Sequence, residues 1–341
     1  MLAVVVYYWV TQRDQIGETV VHKRVENLHK HGRFYVEKED YPMALELFQL
    51  SLSIAQEHFP PEKELVQTCL HNVAWAEMLS GDYEGSLARF LQLYELRVRL
   101  YGADERITVV TQTNLATVNW HLGNLDAAEG HYRDILVKKK AKYGRNHRHS
   151  VIGQQHLAIF LRETGHFEEA IQILEESLEI LRAHFEPENP RIRVSLLELG
   201  LAYLGKQDFI SAEHCFFQLQ ELHQQHFSPG HPKRLHLASL IAFCYREMFL
   251  FEEALHFSHE VVDFRKEANG TNHLLTSAAY FDLGLTYAAA GDRSMATQCF
   301  TQAKLSSSLL LGEAHPWYRQ MMGELERMSG EVGFSARNLV D

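Results

Sequence analysis

The chain has 341 residues, of which 46% are hydrophobic and 23% charged, and a formal net charge of −11. That much apolar surface excludes a disordered chain, and eight prolines with twenty glycines exclude a collagen-like or loop-dominated one. The acidic balance argues against a nucleic-acid partner, since phosphate neutralisation needs a basic face.

At the N-terminus, Leu2–Val10 (LAVVVYYWV) is an unbroken apolar and aromatic run. It is too short to span a bilayer, which takes roughly twenty apolar residues. It also lacks the basic start and small-residue cleavage site of a secretory signal. It reads as a hydrophobic cap on the first helix, as a segment docked in a groove, or as the remnant of a membrane anchor. The cap is favoured over the anchor. Residues 1–20 are therefore an apolar segment and lead-in.

From there the chain repeats itself. A Gly-x-aromatic-x-x-Ala junction recurs as GDYEGS from Gly81, GNLDAA from Gly123, GHFEEA from Gly165 and GDRSMA from Gly291. Glu39, Gln207 and Phe249 complete a series in which each member stands 42 residues after the last. Seven positions before each junction comes a small residue: Gly32, Ala74, Ala116, Ala158, Gly200, Ala242 and Gly284. Five positions after it come Ala44, Ser86, Ala128, Ala170, Ala212, Ala254 and Ala296. Four further on, Phe48, Phe90, Tyr132, Leu174, Phe216 and Phe300 form an aromatic or large apolar column, from which Ser258 departs.

The apolar spacing is helical rather than alternating. Small residues at one level of two helices let their backbones approach, and the larger neighbours interlock as ridges into grooves. Glycine at the junction suits a left-handed turn, and the Asn or Asp after it suits the cap of the second helix. Between repeats, Gly102, Gly144, Gly270 and Gly312 form another column. His147, Asn189, His231, His273 and His315 follow, with Pro190, Pro232 and Pro316 opening the next helix.

These columns resemble those of tetratricopeptide-repeat proteins with long, 42-residue repeats, as in kinesin light chains and related bacterial proteins. The resemblance implies an all-α, right-handed TPR superhelix of seven helical hairpins. The repeats would occupy residues 21–315, followed by a capping helix at 316–329 and a mobile tail at 330–341.

In such a fold the first helix of each hairpin faces a concave groove. The positions that the family turns inward include His29, Arg33, His71, Asn72, Trp75, Asn114 and Trp120 in the first three repeats. Later repeats place Ile152, Ile159, Arg162, Val194, Leu197, Leu201, Leu204, Phe243, Arg246, Phe281 and Leu285 there. Asn72 and Asn114 resemble the groove asparagines that hold a peptide backbone, for which an amide suits because it both donates and accepts. Ten residues form the expected peptide site: His29, Arg33, His71, Asn72, Trp75, Asn114, Trp120, Leu201, Phe243 and Phe281. The carboxylate clamp of chaperone-binding relatives is not matched, since His29 and Arg33 stand at its positions.

The tempting motifs have plainer explanations. His147, His231, His273 and His315 belong to the inter-repeat column, so no metal site is expected. The basic run Lys138, Lys139, Lys140, Lys142, Arg145 and Arg148 complements the end of a helix dipole. Cys69, Cys215, Cys244 and Cys299 form no CxxC pair and read as buried thiols in a reducing compartment. No catalytic motif and no cofactor signature emerges. The sequence thus predicts a cytoplasmic, non-catalytic adaptor for a protein or peptide partner with acidic and apolar parts. A ligand- or peptide-sensing regulator and a membrane-tethered assembly factor are the alternatives.

Overall fold

In a computed structural model the described residues are 2–311 with 319, 322 and 323, and side chains are described from residue 17 to 305 and at those three positions. The expected capping helix over 316–329 and the tail over 330–341 lie outside the described residues, except for those three positions. Fourteen helices form seven consecutive hairpins among the described residues, and no strand occurs there. The chain divides into two compact units, Met1–Phe160 and Leu161–Asp341.

The first unit holds α1 (Leu2–Glu37), α2 (Tyr41–His58), α3 (Glu64–Ser80), α4 (Tyr83–Tyr101), α5 (Arg106–His121), α6 (Leu125–Tyr143) and most of α7 (Arg148–Glu163). The second holds the end of α7, then α8 (Phe167–His184), α9 (Pro190–Gly205), α10 (Phe209–His226), α11 (Pro232–Glu247), α12 (Phe251–Asn269), α13 (Leu274–Ala289) and α14 (Arg293–Leu311). Leu2–Val10 supplies the first turns of α1, a helix of 36 residues. No helix among the described residues is long and apolar enough to cross a membrane.

The columns read from the sequence are the hairpin cores. Ala44, Ser86, Ala128, Ala170, Ala212, Ala254 and Ala296 are wholly buried. Phe48, Phe90, Leu174, Phe216 and Phe300 are wholly buried too, and Tyr132 nearly so. The rings lie directly on the small-residue column. A Cβ added to Gly200 would stand 2.3 Å from the Phe216 ring, and one added to Gly32 would stand 2.4 Å from that of Phe48. Burying each such ring contributes about 1.5–3 kcal/mol.

Every junction residue of the 42-residue series takes positive φ, including the three that are not glycine: Glu39 (60°), Gln207 (62°) and Phe249 (60°). The register therefore dictates the backbone conformation even where the residue is poorly suited to it. The Asp after the junction caps the next helix at four places: Asp40 accepts from Met43 N–H, Asp82 from Gly85, Asp208 from Ser211 and Asp292 from Met295. Between hairpins, Gly102, Gly144 and Gly270 combine φ of 92°, 86° and 79° with nearly extended ψ, a region open essentially to glycine alone.

The histidine column is a set of helix caps. The ring Nδ1 of His147, His231 and His273 accepts from the backbone N–H of His149, Lys233 and Leu275, and the Asn189 side chain does the same for Arg191. Among the described residues no group of His, Cys, Asp and Glu converges as a metal site would require. In the basic run, Lys138 pairs with Asp134 at 2.6 Å and Lys142 with Glu105 at 3.0 Å. All four cysteines are free and buried.

Two substitutions test this register. Ala158, wholly buried, becomes overpacked in Ala158→Phe, at a cost of about 1–3 kcal/mol. Phe249→Gly relieves the left-handed strain at an exposed position and gains about 1 kcal/mol. Chemical denaturation of both variants checks the pair of signs.

Candidate functional site

In the second unit the first helices of successive hairpins line a cavity of about 480 Å³. Its apolar walls are Phe167 of α8, Leu201 and Leu204 of α9, and Phe243 of α11. The side chains turn this way because they fall on a second helical stripe, offset from the stripe that meets the partner helix. Ser258 and Val261 of α12 and Ala279 of α13 complete the lining. A cavity of this size, mostly apolar with a few polar groups, has the dimensions of a binding site.

Charged groups stand around it in a defined order. Arg162 holds Glu163 at 2.6 Å and Glu198, through its Nε, at 2.9 Å. Burial raises the Glu198 carboxyl above its ordinary value, and Arg162 offsets part of that rise. Arg246 lies 5.0 Å over the Phe243 ring and reaches Glu247 at only 3.5 Å. Asp282 makes no hydrogen bond or ion pair through its carboxylate among the described residues. It is open to the cavity, yet protein surrounds it and thins its hydration. Its pKa is accordingly pushed up to about 6, with Arg246 opposing the rise. His236 is held below the ordinary imidazole value by the same loss of hydration and then by Arg265.

In the first unit a second cavity, of about 450 Å³, is lined by Thr68, His71, Arg97, Arg106 and Val110, with Glu105 and Ile107 at its edge. Arg97 is 3% exposed and donates only to neutral acceptors: Gln67 Oε1, the Ile107 carbonyl and Thr111 Oγ1. Burial lowers its pKa to about 10.

The ten expected site residues divide accordingly. Leu201 and Phe243 line the second unit's cavity, and His71 lines the first unit's. Arg33 is exposed. Asn114 is half-buried with an amide that makes no hydrogen bond among the described residues. Trp75 and Trp120 are half-buried; Trp120 meets the Phe160 ring edge-on at 5.8 Å.

Three residues stand elsewhere than on an open face. His29 is buried, with Nε2 3.0 Å from Ser51 Oγ and its ring edge-on to Phe48. Phe281 is 3% exposed and packs on Phe300 in the last hairpin's core. Asn72 is 8% exposed, with a buried Nδ2 that lacks a partner. In these three the inward position of the repeat is covered by the neighbouring helix, so the family's pattern overstates what is open. Leu285 is buried in the same way as Phe281.

Sequence reasoning missed Asp282, His236, Ser239 and Arg97. Two signals were available. Ser258 breaks a column otherwise filled by large residues, and Arg97 is a charge on the stripe of α4 that faces its neighbours.

The sequence model of the tetratricopeptide repeat matches residues 70–136, 151–225 and 233–304, more than half of the chain. The chain belongs to the tetratricopeptide-repeat family. Among solved structures, it is similar to the TPR-like repeats of a putative kinesin light chain from Podosopora anserina, with 21% identity and a TM-score of 0.56, over 59% of this chain and 95% of that one. BtubC (BKLC) from P. vanneervenii gives 18% identity and a TM-score of 0.57, over 76% and 98% of the two chains. A tetratricopeptide repeat protein from Parabacteroides merdae gives 15% identity and a TM-score of 0.55, over 90% and 100%. No curated protein is significantly similar to the chain in sequence.

The buried imidazole in the first hairpin has a measurable signature. Burial, and then Arg33, push the His29 pKa down from 6.5 to about 4. The unfolded chain therefore takes up this proton at a higher pH than the folded one, and stability falls as pH drops through that interval. His29→Gln removes the proton uptake, so its melting temperature should fall less than the wild type's between about pH 7 and about pH 5.

Proposed function

We propose that the chain is a non-catalytic adaptor that holds a peptide segment of a partner protein against the first-helix face of its hairpins. The observation that carries this reading is the second unit's cavity, where Phe167, Leu201, Leu204 and Phe243 stay only partly covered. Large apolar side chains held open beside ionisable groups mark a partner site. The first unit adds contacts of the kind a peptide needs. Asn114 offers a free amide for a backbone, and the exposed Arg33 offers a fork for an acidic side chain. Trp75 and Trp120 supply flat apolar surface beside them. The partner thus has apolar and acidic parts, and in the second unit Leu201 and Phe243 receive an apolar anchor. Four free, buried cysteines favour a reducing compartment such as the cytoplasm.

A random peptide library displayed on phage and selected on the full chain supplies ligands for the test. Asn114→Ala should weaken selected peptides by about 1–3 kcal/mol, the cost of leaving a backbone group unpaired. Phe243→Asp should weaken them further by placing a charge in the anchor cavity. Calorimetric Kd values equal to wild type for both variants, with unchanged melting temperatures, would move the site to another face.

A further inference from the structure

The second unit's cavity departs from the rest of the chain in shape and in charge. The shape follows from Ser258. Six repeats fill this column with Phe48, Phe90, Tyr132, Leu174, Phe216 or Phe300, each of them buried. Ser258 lies in the cavity wall with Ala242 and Ala279, where no large side chain fills the space.

The charged groups are unevenly paired. The arginines that line the cavity are Arg162 of α7 and Arg246 of α11, and Arg265 of α12 acts on His236 from behind the wall. Glu163 of α7 and Asp282 of α13 line it as well, with Glu198 of α9 and Glu247 of α11 behind them as partners of the two lining arginines. Arg162 is shared between two carboxylates, and Arg246 is directed to Glu247 and the Phe243 ring. His236 is held toward its neutral form. The wall elements α8 and α12 contribute Phe167, Ser258 and Val261, which carry no charge. Among the described residues Asp282 is left without an ionic partner, its side chain open to the cavity.

Resting on the adaptor reading, we propose that this cavity is a specificity pocket for a basic side chain, lysine or arginine, flanked by an apolar residue in the partner peptide, with the Asp282 carboxylate as counter-ion. The methylene stem of such a side chain lies along Leu201, Leu204 and Phe243 while its charged end reaches Asp282. Arg246 competes for the same carboxylate, so it weakens the guest rather than holding it. The pH dependence has a fixed sign. Asp282 titrates near 6, so the cation finds its counter-ion above that pH and loses it below.

Three acetylated, amidated pentapeptides test this with the full chain: Ala-Leu-Lys-Leu-Ala, its norleucine analogue at the lysine, and its glutamate analogue. Titrations are followed by NMR line shifts up to millimolar peptide. At about pH 7.5 the lysine peptide should bind at least about tenfold more tightly than the norleucine one. Its Kd should rise about tenfold at about pH 5, as Asp282 is protonated. Asp282→Asn should remove the lysine preference. Arg246→Gln should strengthen the lysine peptide. Ser258→Phe restores the residue type that this column carries elsewhere, and should abolish binding of both without unfolding the chain. Equal binding of lysine and norleucine peptides, a preference for glutamate, an unchanged preference in Asp282→Asn, or no saturable binding at all would overturn the pocket's assignment. The first of these combined with loss of both peptides in Ser258→Phe would leave the adaptor reading intact and remove only the basic specificity. Failure of the adaptor reading shows separately, in phage-selected peptides that Asn114→Ala leaves at wild-type affinity.

Discussion

The hairpins of this protein depend on one steric agreement, seen where Gly32 lies under Phe48, Gly200 under Phe216 and Gly284 under Phe300: a small residue on the first helix lies under a large side chain from the second. Gly200 and Phe216 show how tight it is, since even a methyl group would sit 2.3 Å from the ring. Because interiors are packed as densely as crystals, neither partner can change alone. That mutual requirement holds the helices at one separation and repeats every 42 residues, and the rest of the architecture follows from keeping the repeats in phase.

The turns serve that phase. A left-handed residue ends each first helix, and where evolution has placed Glu39, Gln207 or Phe249 instead of glycine the conformation is retained. Backbone strain of about 1–2 kcal/mol at such a residue is small beside the burial of two helix faces. The inter-repeat connections use a different device, an imidazole or an amide that caps the incoming helix. A histidine column that invites a metal reading is therefore part of the same register, with Nδ1 of His147, His231 and His273 accepting a backbone N–H.

The candidate site lies where the agreement lapses. In the sixth hairpin the large partner is replaced by Ser258, and there the cavity opens beside Phe243. Stability elsewhere in the array tolerates such a local gap because each repeat contacts mainly its neighbours. The surrounding carboxylates and arginines could not be maintained in a fully closed core, where each would need a matched partner. Arg162 is shared by two glutamates, and Asp282 is matched by none among the described residues.

The sequence by itself determined the period, the helical hairpins, the small and large columns and the left-handed junctions, because each rests on contacts within about one repeat length and recurs seven times. It also determined Leu201 and Phe243 as open apolar residues, since they fall off the hairpin-core stripe. Which inward positions remain open was decided by tertiary structure. His29 and Phe281 occupy the same repeat position as Thr113, yet both are covered, because exposure depends on how far the neighbouring side chains reach. The charges were decided there as well. Asp282 and Glu198 occupy one column, but Glu198 meets Arg162 at 2.9 Å and the Asp282 carboxylate meets no partner among the described residues. A column specifies where a side chain starts on its helix; only the packed neighbours fix which group its far end meets.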